Sequence, residues 1–194
     1  IHKYDWVQLG GAVKHPEEGK VFDMKDDELF KGIKDPYCKV FPVSGYGNEQ
    51  ILRQILDVEQ PDAIVHFTDP RFWGWLYNME HELRQNIPIT YLNIWDDLPF
   101  PHWNEPFYES CDLLMAISKQ TYNINKHVCK IKPRVEGEDL TYVQHGIDDN
   151  VYKPVAKDNK DYLDFLKNIS RDPAPEFIVM FNSRNIHRKR VSDL

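Results

Sequence analysis

The sequence predicts an α/β fold, a parallel sheet flanked by helices, and two patterns carry that expectation. Short apolar runs at 63–67, 87–94, 113–117 and 141–143 are bounded by turn residues, and such runs have the length and character of buried parallel strands. Between them lie segments whose apolar residues recur three and four apart, as on a helix with one face against a core.

Taken in order, Tyr4 to Leu9 reads as a strand running into a turn at Gly10 and Gly11. From Gly10 to Ser44 the chain is polar and interrupted by Pro16, Gly19, Gly32, Pro36 and Pro42, and predicts mostly loop with a short apolar piece at Val40 and Phe41. Residues 48–59 place Ile51, Leu52, Ile55 and Leu56 on one helical face, and Pro61 stops the helix. A strand at 63–67 ends at Thr68, Asp69 and Pro70. Residues 72–85 predict a second helix, ended by Asn86 and Pro88. A strand at 87–94 leads into a loop, 95–101, whose prolines forbid regular pairing. A short helix at 105–111, a strand at 113–117 and a helix from the N-cap Ser118 to Val128 follow. After a polar loop comes the strand 141–143. Strand and helix in alternation, joined by right-handed crossovers, make a Rossmann-like half.

Residues 157–176 are charged, contain Pro173 and Pro175, and carry one short helical patch at Tyr162, Phe165 and Leu166. They predict a linker between a domain at 1–156 and the start of a second at 177–194. That second part opens with Phe177, Ile178, Val179, Met180 and Phe181, short and β-rich enough to be a buried strand. Arg188, Lys189 and Arg190 then fall where a helix would begin. Cations there oppose the helix dipole unless an anion is bound, which points to phosphate; the alternative is a solvated basic run.

The bulk properties exclude several classes. A formal charge of −7 argues against a general nucleic-acid binder, which needs a basic face to neutralise phosphates. Cys38, Cys111 and Cys129 are odd in number and widely spaced, so neither a disulfide framework nor a zinc site is indicated and a reducing, cytoplasmic setting is expected. No stretch has the apolar length of a membrane span, and no cofactor or metal cluster is expected from the spacings. Aromatic residues make up 13% of the chain and crowd between Phe67 and Tyr108, which suggests a lined cleft.

The segment Tyr-Val-Gln-His-Gly-Ile-Asp-Asp-Asn-Val-Tyr-Lys-Pro at 142–154 resembles the "NGVD…F.P" segment that closes the N-terminal domain of retaining GT-B glycosyltransferases of family 4. There a strand then leads to "GR…KG". Here Arg184 and Lys189 keep the five-residue spacing, while Ser183 and Arg190 replace the two glycines. The resemblance implies the N-terminal half of a GT-B two-domain architecture, lacking a first strand and glycine-rich loop. It implies transfer of a sugar from a nucleoside-diphosphate donor to an unidentified acceptor hydroxyl, without a bound metal. Arg184 and Lys189 would neutralise the donor diphosphate, and further donor recognition would lie beyond Leu194, leaving residues 1–194 inactive alone. A nucleotide-sugar epimerase of the same architecture and a non-catalytic Rossmann-like binding module are the rival readings.

Ligands of open parallel sheets bind beyond the carboxyl ends of strands. The candidates there are His66, Asp69 and Asp97 as catalytic or hydroxyl-orienting groups, and His145 with Gly146 as a cleft or hinge element. Each has a structural alternative: a strand histidine satisfied in the core for His66, a cap or Asx-turn for Asp69 and Asp97, a turn for His145. Trp73 and Trp75 read as core or cleft wall. The apolar run at 177–181, with no sheet of its own, would dock on the first domain, pair with residues beyond Leu194 or pair with a second copy, making a homo-oligomer possible.

Overall fold

The computed structural model describes residues 4–12, 14, 16–129, 133–170, 177, 179–183, 189 and 190. The chain divides into two compact units, Ile1–His145 and Gly146–Leu194.

In the first unit the elements are β1 (Trp6–Ala12), β2 (Phe22–Asp23), β3 (Cys38–Ser44), α1 (Glu49–Glu59), β4 (Ile64–Phe67), α2 (Gly74–Asn78), α3 (Glu80–Leu83), β5 (Ile89–Asn93), α4 (Glu105–Glu109), β6 (Leu113–Ala116), α5 (Lys119–Val128) and β7 (Leu140–Tyr142). Single 3-10 turns at Pro70–Trp73 and His102–Asn104 precede α2 and α4. The strands form two sheets. One is β1-β3-β2, with β1 parallel and β2 antiparallel to β3. The other is β4-β5-β6-β7, parallel throughout. The unit is thus α/β with an all-parallel sheet flanked by helices, in keeping with a Rossmann-like half.

The expected turn at Gly10 and Gly11 is instead strand: β1 runs through both to Ala12. A Cβ at position 11 would stand 2.8 Å from the Gly45 carbonyl oxygen, so the glycine permits a close backbone approach. The expected loop to Ser44 is also corrected, because Cys38–Ser44 is a full strand. Pro42 deceives there. Trp6 N–H donates to the Tyr37 carbonyl, so odd-numbered β3 residues bond to β1 and even-numbered ones face β2. Since β2 reaches only Lys39 and Val40, Pro42 lies where no donor is needed.

The helix expected at 72–85 is broken into a 3-10 turn, α2 and α3, which meet at Met79. The other helices follow the sequence closely. Asn48 caps α1 by accepting from the Ile51 N–H, and Ser118 caps α5 by accepting from the Thr121 N–H.

The core lies on one face of the four-stranded sheet. Ile89, Tyr91, Leu114 and Leu140 meet Leu52 of α1, Leu76 of α2, Leu83 of α3, Tyr108 of α4, and Ile124 and Val128 of α5. The handedness of crossovers explains this. From β4 to β7 each strand is added on the same side of its predecessor, so right-handed connections place every intervening helix on the same face. Along β4, side chains alternate: His66 is buried on the covered face, while Val65 and Phe67 on the other are each 49% exposed.

The second unit contains α6 (Lys160–Ile169), capped by Asn159, whose side chain accepts from the Tyr162 N–H. It occupies part of the expected linker and carries the helical patch at Tyr162 and Phe165. The strand expected at 177–181 does not form among the described residues: Phe177, Val179, Met180 and Phe181 are exposed and pair with no strand. A strand needs a partner for its backbone groups, and no described residue supplies one. No helix among the described residues is long and apolar enough to cross a membrane.

Candidate functional site

The loops leaving β4 and β5 at their carboxyl ends gather most of the candidate residues. β4 delivers His66 to the covered face, where the ring stacks on Tyr91 at 4.7 Å and Nδ1 lies 2.6 Å from the Tyr77 hydroxyl. Its Nε2 is buried without a hydrogen-bond partner, as are the indole nitrogens of Trp73 and Trp75. Trp73 is 5.4 Å from His66 and 5.5 Å from Trp75. Burial pushes the His66 ring down to about 4, while the nearby Asp69 carboxylate pulls in the opposite direction.

Immediately after β4, Thr68 takes φ 138°, a region suited to glycine and strained for a β-branched residue. The Tyr91 hydroxyl donates to its carbonyl at 2.9 Å. Asp69 then caps the Pro70–Trp73 turn by accepting from the Arg71 N–H. Its carboxylate also takes both Nε and Nη2 of Arg71, the latter at 2.6 Å. Arg71 is the main reason the Asp69 carboxyl titrates below its usual value. The same guanidinium lies 5.5 Å from the Trp95 ring, within cation–π range.

The loop after β5 is fastened from beneath. Asn93 Nδ2 donates to the Tyr108 hydroxyl and to Asn125 Oδ1, while its Oδ1 accepts from the Trp95 N–H and shares the single Tyr91 hydroxyl proton with the Thr68 carbonyl. Beyond it, Trp95 Nε1 donates to the Asp97 carbonyl, Gln120 Nε2 donates to the Asp96 carbonyl, and Thr121 Oγ1 donates to the Trp95 carbonyl. Asp97 is exposed, and its Oδ1 accepts only locally, from the Leu98 N–H.

His66 and Asp69 are therefore close enough to interact electrostatically, whereas Asp97 is tied to their loop only through its backbone carbonyl, which accepts from the Nε1 of Trp95, the ring that Arg71 contacts. His145 follows β7 and meets Phe67 edge-on at 5.7 Å; the division between the two units falls between His145 and Gly146. Lys189 is exposed, and Arg184 lies outside the described residues. Among the described residues no group of three or more His, Cys, Asp or Glu side chains is gathered as a metal site, and all three cysteines are free thiols. Sequence reasoning missed Arg71, Tyr91 and Asn93. The one available signal was Asp-Pro-Arg at 69–71, which places a cation two residues from a capping carboxylate. Compared with known proteins, the chain matches no family model, no curated protein and no solved structure.

Proposed function

We propose that the intact protein is a glycosyltransferase of GT-B two-domain architecture, moving a sugar from a nucleoside-diphosphate donor to an acceptor hydroxyl. The observation that carries this reading is placement. His66, Asp69 and Asp97 stand at the carboxyl ends of adjacent parallel strands, where open α/β sheets bind ligands, and the 142–154 segment follows the last strand of the same sheet. With its pKa near 4 and Nε2 buried, His66 is a neutral ring and a weak base, suited to orienting its neighbours rather than removing a substrate proton. When Tyr77 donates to Nδ1, Nε2 carries the ring proton and has one hydrogen bond to offer.

The donor side rests on Arg184 and Lys189, whose charges would stabilise the diphosphate as it gathers charge on leaving. Calorimetry with nucleoside diphosphates and their sugar derivatives tests it. Lys189→Ala is expected to weaken binding by about 1.5–3 kcal/mol, the scale of a charge-assisted hydrogen bond; unchanged affinity rejects the donor assignment. On the acceptor side, Asp97→Asn is expected to lower turnover while leaving donor affinity intact, since other residues hold the donor. A lowered melting temperature with normal turnover would make Asp97 a structural residue of its loop.

A further inference from the structure

We propose that an exposed aromatic rim at the carboxyl ends of β3, β4 and β5 binds a neutral oligosaccharide, which serves as the acceptor. Its role as acceptor site rests on the transferase reading above. Tyr46 follows β3, Phe72 follows β4, and Trp95 and Trp103 follow β5, so three separate loops bring aromatic rings to one edge of the fold. Tyr46, Phe72 and Trp103 are 43%, 51% and 51% exposed, far more than a core would leave. Tyr46 and Phe72 nonetheless stack on each other, 4.9 Å apart and within 13° of parallel. Trp103 stands edge-on to Trp95 at 5.9 Å, and Trp95 in turn supports Arg71, the residue preceding Phe72. The rings are held by one another, so little side-chain entropy is lost when a ligand lies on them.

The chemistry of the rim selects its occupant. A pyranose presents C–H groups on a ring face, which pack against aromatic faces, and hydroxyls around its edge, which need polar partners. Those partners lie on the same loops as the rings: the Asp69/Arg71 pair, whose members bond each other at 2.6 Å, and Asp97, whose backbone carbonyl accepts from Trp95 Nε1 and whose carboxylate is exposed. Arg71 is matched by Asp69, while neither Asp96 nor Asp97 has a salt-bridge partner among the described residues. The surplus is negative and disfavours a phosphate-bearing ligand. A hydrocarbon chain would strip water from these carboxylates without replacing it. An uncharged polyol satisfies both rings and carboxylates.

The test titrates the intact protein, without any donor, against maltotetraose, cellotetraose, chitotetraose and mannotetraose, read by tryptophan fluorescence and saturation-transfer NMR. At least one is expected to bind, with saturation transfer strongest at ring C–H protons. Phe72→Ala and Trp103→Ala, both at half-exposed positions, are each expected to weaken that binding roughly tenfold with little change in melting temperature. Failure of all four sugars to bind, or binding indifferent to both substitutions, overturns the proposal. So does self-association abolished by Phe72→Ala in the absence of sugar binding, which would make the rim a protein contact. Nucleoside-diphosphate calorimetry on the same protein separates the two readings: sugar binding without nucleotide binding leaves the rim and removes the transferase, and the converse removes only the rim.

Discussion

Asn93→Leu is expected to destabilise the first unit by about 4 kcal/mol, measured by urea denaturation with an unchanged slope. Leucine keeps the branching of asparagine but is bulkier, so no cavity opens and the loss combines lost polar satisfaction with some overpacking at a buried site. The buried Asn93 amide makes four hydrogen bonds, to the Tyr91 and Tyr108 hydroxyls, the Asn125 side chain and the Trp95 N–H. The two tyrosines keep other partners, Thr68 O for Tyr91 and Asn104 Nδ2 for Tyr108. Asn125 and the Trp95 N–H keep none: Asn125 Nδ2 is already unpartnered, and its Oδ1 loses its donor. A buried group so stranded, as at Asn125, costs about 1–3 kcal/mol, and the part-buried Trp95 N–H adds less. Adding Asn125→Leu removes one stranded group and is expected to recover part of the loss, because deleting both partners is milder than deleting one. A single-variant loss below about 1 kcal/mol would mean that water reaches the network. The substitution also cuts one of the tethers of the 95–101 loop, leaving those from Gln120 and Thr121, so hydrogen exchange at the Trp95 amide should accelerate.

What the sequence made legible follows from where the deciding interactions lie. Helix α1 was readable because its apolar spacing, its Asn48 cap and its stop at Pro61 are all local. Strand β3 was not, because Pro42 breaks the local rule and only the shortness of β2 excuses it. The break at Met79 was equally hidden, since the apolar spacing from Leu76 to Leu83 suits one continuous helix as well as two short ones. At the site, Asp69 beside Pro70 could be read as a cap, and it is one. Its bond to Arg71 and the contact of Arg71 with Trp95 depend on side-chain packing across two loops. The Asn93 network joins residues up to 32 apart in the chain, beyond the reach of any periodicity. The described residues of the apolar run, Phe177 and Val179 to Phe181, show the converse: strong β character makes no strand unless a neighbour is present to pair with it.

Acidification is expected to destabilise the protein through His66, by roughly 3 kcal/mol between about pH 7 and below about pH 4. The side chain is 4% exposed, ringed by Tyr77, Tyr91 and Trp73, and charging it there means removing an imidazolium from water. Burial lowers its pKa from 6.5 to about 4, against the weaker opposing pull of Asp69. Between those values the unfolded chain binds the proton and the folded chain does not. Stability from this group is therefore whole above about 6.5, falls as the pH drops through that value, and is gone once the folded-state ring also protonates near 4. Other groups contribute to acid unfolding, so the comparison needs His66→Phe, which keeps an aromatic ring but cannot titrate. The variant should be weaker than the parent at neutral pH, having lost the bond to Tyr77, and the gap should close or reverse near pH 4. A direct NMR titration of the His66 ring provides the second check. A midpoint near 6.5 would show that water reaches Nε2, which would remove both this linkage and the case for a permanently neutral ring that orients rather than deprotonates.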